Sequence, residues 1–367
     1  MKSFGSNKMD RILLIIVTLL ILIGLAVLYS ASTVTSYKNF DNTSYYFVHQ
    51  LLYGALIGAG ALYLCSRIDY HIWQKLIPLF VVVSLVLLML VKVPGIGFAA
   101  NGATRWIHLG FITFQPAEIA KLAVILYTAG WLAKQQTKIK DFYYGLFPAL
   151  VIIGLFAGLI IWQPDMGTMM SLVVTAMIML FAGGMQLRYF FIVGGFVLAA
   201  LALLIKLEPY RARRITTFLN PSFDPQGIGY QINQALIAIG SGGLWGYGYG
   251  LSRQKHNYLP EAIGDSIFAI MSEELGLIRV LVVIGLFIAL ALRGFQIAMR
   301  APDLFGKLLA VGIVSTITVQ VCINIAAISG LLPLTGIPLP FFSYGSTAMI
   351  IMLAEIGILL NISKQAR

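Results

Sequence analysis

The sequence predicts an all-α polytopic membrane protein with about ten transmembrane helices and a long extracytoplasmic loop between the seventh and the eighth. Three observations carry this. Of 367 residues, 59% are hydrophobic and only 11% are charged, against roughly 45–50% and 25% in a soluble domain. Apolar runs of about 18 residues or more, long enough to cross a bilayer as a helix, recur along the whole chain. Clusters of Pro and Gly separate them, in "VPGIG" (93–97), "QPDMG" (163–167) and "LLPLTGIPLPF" (331–341), where helices are expected to stop.

The first run follows Lys2, Lys8 and Arg11 and ends at Ser30-Ala31-Ser32, which imitates a cleavable secretory signal. A signal core spans about 7–15 residues. The stretch from Ile12 to Leu28 is longer, so it predicts a permanent first span at 11–30. The following spans are expected at 46–66, 73–92, 115–133, 143–162, 168–185, 189–206, 266–292, 307–331 and 343–362, forming one integral membrane domain over 1–367. Cys65 and Cys322 fall in different spans and give neither a disulfide framework nor a metal-ligand spacing.

Orientation follows from Lys and Arg. With the N-terminus inside, cytoplasmic segments hold Lys2, Lys8, Arg11, Arg67, Lys75, Lys134, Lys138, Lys140, Arg188, Arg293, Arg300, Lys307, Lys364 and Arg367. The short outer loops hold only Lys38, Lys92 and Arg105. The bias places both termini in the cytoplasm. The net charge of +11 is thus a matter of topology and implies no nucleic-acid partner. The long outer segment, 207–265, carries Arg211, Arg213, Arg214, Arg253 and Lys255. Long loops cross regardless of charge, and a long loop in a compact protein is usually functional or disordered. Within it "YQINQALIAIG" has apolar residues at helical spacing, which predicts a helix on the outer surface.

Acidic residues inside or beside spans are functional candidates by default. Asp165 and Asp224 lie in outer segments, and Asp265 is expected to begin the eighth span with Glu261 one helical turn above it. Partial desolvation at such a rim raises a carboxylate pKa and suits it to act as a base. Glu118 and Lys121 stand three residues apart in the fourth span, either stapling the helix or facing an outer cavity. Glu273 and Glu274 read as structural partners of Arg279 or of another buried donor, and Glu355 as a packed polar anchor. Lys121, Arg105 and the loop cations are suited to a diphosphate; anionic lipid headgroups would attract the same charges. His49, His71, His108 and His256 are scattered, which disfavours a Ser or Cys hydrolase and a zinc enzyme.

Four segments together resemble one family: "NGATRWIHLGFITFQPAEIAKL", "FLNPSFDPQGIGYQINQALIAIGSGGLWGYG", "LPEAIGDSIFAIMSEELG" and "LLPLTGIPLPFFSYGS". They are similar to the SEDS family (shape, elongation, division and sporulation), the FtsW/RodA-type peptidoglycan glycosyltransferases. The resemblance covers nearly the whole chain. It implies ten spans, an outer active site, polymerisation of lipid II into glycan strands in the bacterial cytoplasmic membrane, and a single-span class B penicillin-binding transpeptidase as partner, with other divisome or elongasome membrane proteins. Asp265 falls on the family's catalytic aspartate, and Glu118 and Lys121 on its "QPxExxK" cavity residues. The Tyr230-Gln231 and "LPEA" segments look more like the division-type FtsW than the elongation-type RodA. Two departures stand out. Ile263-Gly264 replace the family's His-Thr, so that the histidine's part is absent or falls to another residue such as His256; and "SYGSTA" replaces "SYGGSS".

An outward-facing polymerase needs a sugar donor on a polyprenyl diphosphate, a base for the acceptor hydroxyl and positive charge for the leaving group. Asp265 is the expected base. The expected substrate-binding residues are Glu118, Lys121, Arg105, Arg211, Arg213, Arg214, Glu261 and Lys255, with a divalent cation (Mg or Mn) left open. Direct displacement would invert the anomeric centre. The rival readings are a flippase for lipid-linked precursors, a non-catalytic scaffold for a partner synthase, and a lipid-linked glycan ligase.

Overall fold

The computed structural model describes residues 9–100, 103–109, 112–139, 141–220 and 223–365; Lys2, Lys8, Lys140 and Arg367, used in the charge count, lie outside them. A helix lies at each of the ten expected spans. In chain order they are α1 (Arg11–Phe40); α2 (Tyr45–His49), which continues through a π-helical stretch into α3 (Ile57–Arg67); α4 (His71–Leu90); α5 (Pro116–Lys134); a second π-helical stretch leading into α6 (Phe147–Trp162); α7 (Met166–Ala182); and α8 (Leu187–Leu207). After the long segment, with its own α9 (Pro209–Leu219) and α10 (Ile228–Ser241), come α11 (Ile267–Arg300), α12 (Leu304–Ile328) and α13 (Ser346–Gln365). Among the described residues, eight helices are long and apolar enough to cross a membrane. The other two of the ten are α5, which carries Glu118, Lys121 and Lys134, and α7, with 17 residues.

Three features differ from expectation. Helix α1 runs ten residues past the expected end at 30, because nothing between Ala31 and Phe40 breaks it; Asp41 ends it in a left-handed conformation (φ 50°). The segment ahead of α5 is a three-stranded antiparallel sheet, β1 (Gly97–Ala100), β2 (Ala103–Leu109) and β3 (Ile112–Phe114), pairing Phe98 with Trp106 and Ile107 with Phe114. An Asn-Gly dipeptide between apolar β-prone residues is a strong hairpin signal, and the sequence holds one at Asn101-Gly102. The third difference is a break within α11, where Gly276 adopts φ 73° and ψ 171°.

Burial concentrates on α5 and α12, which pack on each other and on α7. Helix α13 closes onto α3 at Gly357, where a Cβ would meet the Leu62 carbonyl. Helix α8 buries no residue. Its distance from the bundle leaves an apolar groove of about 560 Å³ between α6, α7 and α8, lined by residues such as Ile161, Met169, Phe196 and Leu204.

The α11 break is filled by the loop that follows α10. The N–H groups of Tyr247 and Gly248 donate to the carbonyls of Glu273 and Glu274 (3.0 and 3.1 Å), and those of Leu277 and Ile278 donate to the carbonyls of Gly243 and Leu244 (2.9 and 3.2 Å). Every backbone group freed by the interruption at these four positions thereby regains a partner, as an apolar environment requires. Gly246 and Gly276 make the contact possible, since a Cβ on either would strike the other's backbone.

Candidate functional site

Asp265 lies in a turn two residues ahead of α11, at the end of the long segment. Glu261 is in the same turn at φ 53°, so the two carboxylates are not stacked on a helical face. The backbone of this turn is clamped from two directions. The Tyr344 N–H donates to the Ile263 carbonyl (2.9 Å), and the Ser343 hydroxyl to the Gly264 carbonyl (2.7 Å). From α12, the Asn324 amide donates to the Asp265 and Ile337 carbonyls, both at 2.8 Å.

The Asp265 side chain is held separately. Gln231 of α10 donates from Nε2 to Asp265 Oδ1 (3.2 Å) and to the Ser266 hydroxyl (3.0 Å), while that hydroxyl donates to the same Oδ1 (3.3 Å). Burial, then the neighbouring Glu261 carboxylate, push the Asp265 carboxyl up to about 6; the Ser266 hydroxyl and the Arg214 guanidinium pull the other way. Asp224 instead shapes the backbone nearby. Its two oxygens accept from the N–H groups of Gly227 and Ile228 (3.1 and 3.0 Å), capping α10.

Arg214 comes from α9, which begins with Pro209 at a position where no amide hydrogen is missed. Its guanidinium donates to the Leu334 carbonyl (2.8 Å) and to the Tyr210 hydroxyl and lies 4.8 Å from the Tyr210 ring centre. Arg211 reaches from the same helix to the carbonyls of Leu204 and Ile161 (3.2 and 3.4 Å), and so stands at one end of the apolar groove those residues line. Arg213 is exposed and, among the described residues, its guanidinium has no hydrogen bond or ion pair.

Four expected site residues are bonded to partners within the protein. The Lys255 ammonium is buried and bonded to Glu274 (3.1 Å), the Ser30 hydroxyl (3.0 Å) and the Gly250 carbonyl (2.6 Å). It faces inward, where it supplies the counter-charge of Glu274. Glu273 accepts from the Ser252 hydroxyl and from the amides of Arg253 and Gln254, while Arg279 donates to the Trp245 carbonyl. Arg105 of β2 donates to the carbonyls of Gln163 and Pro164, tying the sheet to the α6–α7 turn. Glu118 and Lys121 form a 2.8 Å ion pair, only 5% and 4% exposed, and the buried Glu355 of α13 acts electrostatically on both.

Gln231, Asn324 and His49 have no site role in the sequence-based expectation. The His49 Nδ1 is 3.0 Å from the Tyr344 hydroxyl, whose backbone clamps the Asp265 turn. Here His49, and not the exposed His256, is the histidine in contact with a segment holding that turn. Gln231 lies in the Tyr230-Gln231 segment of the family resemblance, and the signal for Asn324 is its polar character amid apolar neighbours. Among the described residues, no group of three or more His, Cys, Asp or Glu side chains could hold a metal ion.

The FtsW/RodA/SpoVE family profile, described as "Cell cycle protein", matches residues 10–367. The chain belongs to this family. Its relatives include the stage V sporulation protein E of Bacillus subtilis, 44% identical with 98% of each chain covered. A probable peptidoglycan glycosyltransferase FtsW of Geobacter sp. strain M18 is 42% identical over 98% of this chain and 97% of its own. Among solved structures, one from a study of polymerisation and crosslinking by a peptidoglycan synthase complex superposes with a TM-score of 0.80 at 28% identity, covering 97% of both chains. The rod shape determining protein RodA of Thermus thermophilus gives 0.72 at 25% identity, covering 98% of this chain and 97% of that one. As a member of the FtsW/RodA/SpoVE family, the chain is a multi-pass membrane protein.

Proposed function

We propose that this protein is an inverting peptidoglycan glycosyltransferase that polymerises lipid II into glycan strands, with Asp265 as its general base. The observation that carries the reading is the environment of Asp265: a partly exposed carboxylate in a clamped turn, one oxygen held by two donors, with Arg214 beside it. The acceptor hydroxyl oxygen attacks the donor's anomeric carbon, and its proton passes to the free Asp265 oxygen. The bond from that carbon to the diphosphate breaks, and the diphosphate departs with the electron pair. Arg213 and Arg214 supply positive charge for it. The groove between α6, α7 and α8, with Arg211 at its end, suits the polyprenyl chain of such a donor. A divalent cation of the Mg or Mn type would arrive with the diphosphate, whose charge it neutralises.

The site faces the outside of the bacterial cytoplasmic membrane, with both termini inside; the Lys and Arg bias supports this. The partner is a class B penicillin-binding transpeptidase with a single span, in line with the synthase complex among the structural relatives. The role is of the division and sporulation type rather than the elongation type, in line with the FtsW relative at 42% and the stage V sporulation protein E at 44% identity. A flippase would place its polar groups near the bilayer midplane, whereas Asp265, Arg213 and Arg214 lie ahead of or between spans. The test is purified protein with lipid II in detergent and products separated by size on a gel. Ladders of polymer are expected; their absence under conditions where the folded protein binds lipid II would refute the reading.

A further inference from the structure

We infer that Gln231 is a positioning residue that fixes Asp265 Oδ1 and leaves Oδ2 as the oxygen that takes the proton. This rests on the reading of Asp265 as the base. The geometry is asymmetric: Oδ1 accepts from Gln231 Nε2 at 3.2 Å and from the Ser266 hydroxyl at 3.3 Å. Among the described residues no other side chain donates to this carboxylate, whose remaining hydrogen bond comes from the N–H of Asp265 itself. A carboxylate free to rotate would expose either oxygen. A half-turn about the Cβ–Cγ bond only exchanges two equivalent oxygens, whereas any smaller rotation breaks both contacts, so the direction in which the reactive oxygen points is set before substrate arrives.

Gln231 is suited to this because its two acceptors belong to consecutive residues. Its single amide nitrogen bonds Asp265 Oδ1 and Ser266 Oγ, which closes a triangle with the Ser266–Asp265 bond. It comes from α10, whose start Asp224 caps. The long segment thus reaches the reacting group through one side chain, while the main chain of the turn is held from elsewhere by Asn324, Ser343 and Tyr344. Removing Gln231 therefore frees the carboxylate without releasing the turn.

The consequence is a displaced pH dependence. A donor to a carboxylate favours its ionised form, so losing one moves the titration upward. The charged groups acting on Asp265 are Glu261 from its own turn and Arg214 from α9. Helix α12 and the 339–345 segment present to the turn the neutral Asn324, Ser343 and Tyr344. Replacing the neutral Gln231 amide by an apolar side chain leaves this set of charges as it was, so a displaced inflection reports the lost hydrogen bond.

The experiment is the pH dependence of lipid II polymerisation by wild type, Gln231→Leu, Gln231→Glu and Asp265→Asn, with thermal melting of each. Gln231→Leu is expected to shift the acid inflection upward by about one pH unit and to lower kcat with little change in KM. Gln231→Glu, nearly the same shape, places a second carboxylate beside the first and is expected to shift it further. Unchanged inflections in both folded glutamine variants, with Asp265→Asn inactive, would overturn the positioning role and leave the base assignment standing. Wild-type rates in folded Asp265→Asn would overturn the base assignment itself. If Gln231→Leu does not fold, Gln231→Met, also uncharged and without a donor, decides in its place.

Discussion

Replacing Asp265 by Asn keeps the size of the side chain and removes its ability to ionise, and the structure fixes the sign of two separate effects. Because its carboxyl is pushed up to about 6 from 3.8, ionisation costs the folded state. That cost is absent below the unfolded value, grows as pH rises toward 6 and is complete above it. The rise corresponds to at most about 3 kcal/mol, and partial exposure of the group reduces it to about 1–2 kcal/mol. Asp265→Asn should therefore melt at or above the wild-type temperature at pH 7.5, and the difference should vanish near pH 4. Activity moves oppositely. A lost general base lowers the rate by about 10²–10⁴-fold, while wild-type polymerisation should fall roughly tenfold per pH unit below 6 and level off above it. Scanning fluorimetry and gel-resolved polymerisation measure the two effects on one preparation. An Asn variant that polymerises at the wild-type rate, or a wild-type profile flat from pH 5 to 7, would refute the assignment.

Other outcomes follow from the buried charges and the helix break. Glu118→Leu or Lys121→Met alone strands a buried charge and should cost about 3–5 kcal/mol, whereas the double variant should recover most of the melting temperature; an additive loss would show the pair is not coupled. Lys255→Met should strand Glu274 and destabilise by a similar amount, with KM for lipid II unchanged in protein that still folds; a selective rise in KM would return Lys255 to the binding site. Gly276→Ala puts a side chain at φ 73° against the Gly246 backbone, so a lower melting temperature is expected, and unaltered melting would refute the tight packing at the break.

The helices were legible because apolar length is written directly into composition, and each expected span coincides with one to within a few residues except at the ends of α1 and α11. The hairpin ahead of α5 was written there too, in Asn101-Gly102, but short strands carry little periodicity beside long helices. Of the site, Asp265 and the α9 arginines could be read from charge placed among apolar residues. The Glu118–Lys121 pair was legible from its three-residue spacing, but the partners of Lys255 and Arg105 could not be read, because an ion pair or a carbonyl contact between distant segments leaves no local pattern. Lys255 and Glu274 are 19 positions apart and Arg105 and Gln163 are 58. A cation near an expected outer surface reads the same whether it faces a ligand or a buried glutamate.

The interruption at Gly276 also bears on how the chain is made. The ribosome delivers residues 243–248 before the helix they complete, and at that moment these amides and carbonyls have only water as partner. Residues 277–300 are long enough to span a bilayer on their own, at about 1.5 Å per residue, so the insertion machinery can seat them without the preceding half-helix. The half-helix 267–275 then has no continuous helical ladder to join. It finds its place when the waiting loop closes over the gap, because open backbone groups in hydrocarbon cost several kcal/mol each. Lateral insertion and completion of the corner that carries Asp265 are thus separate events in biogenesis. Nascent chains halted with residues 241–256 exported but α11 still in the ribosome should leave that loop open to protease, and release of the finished protein should close it.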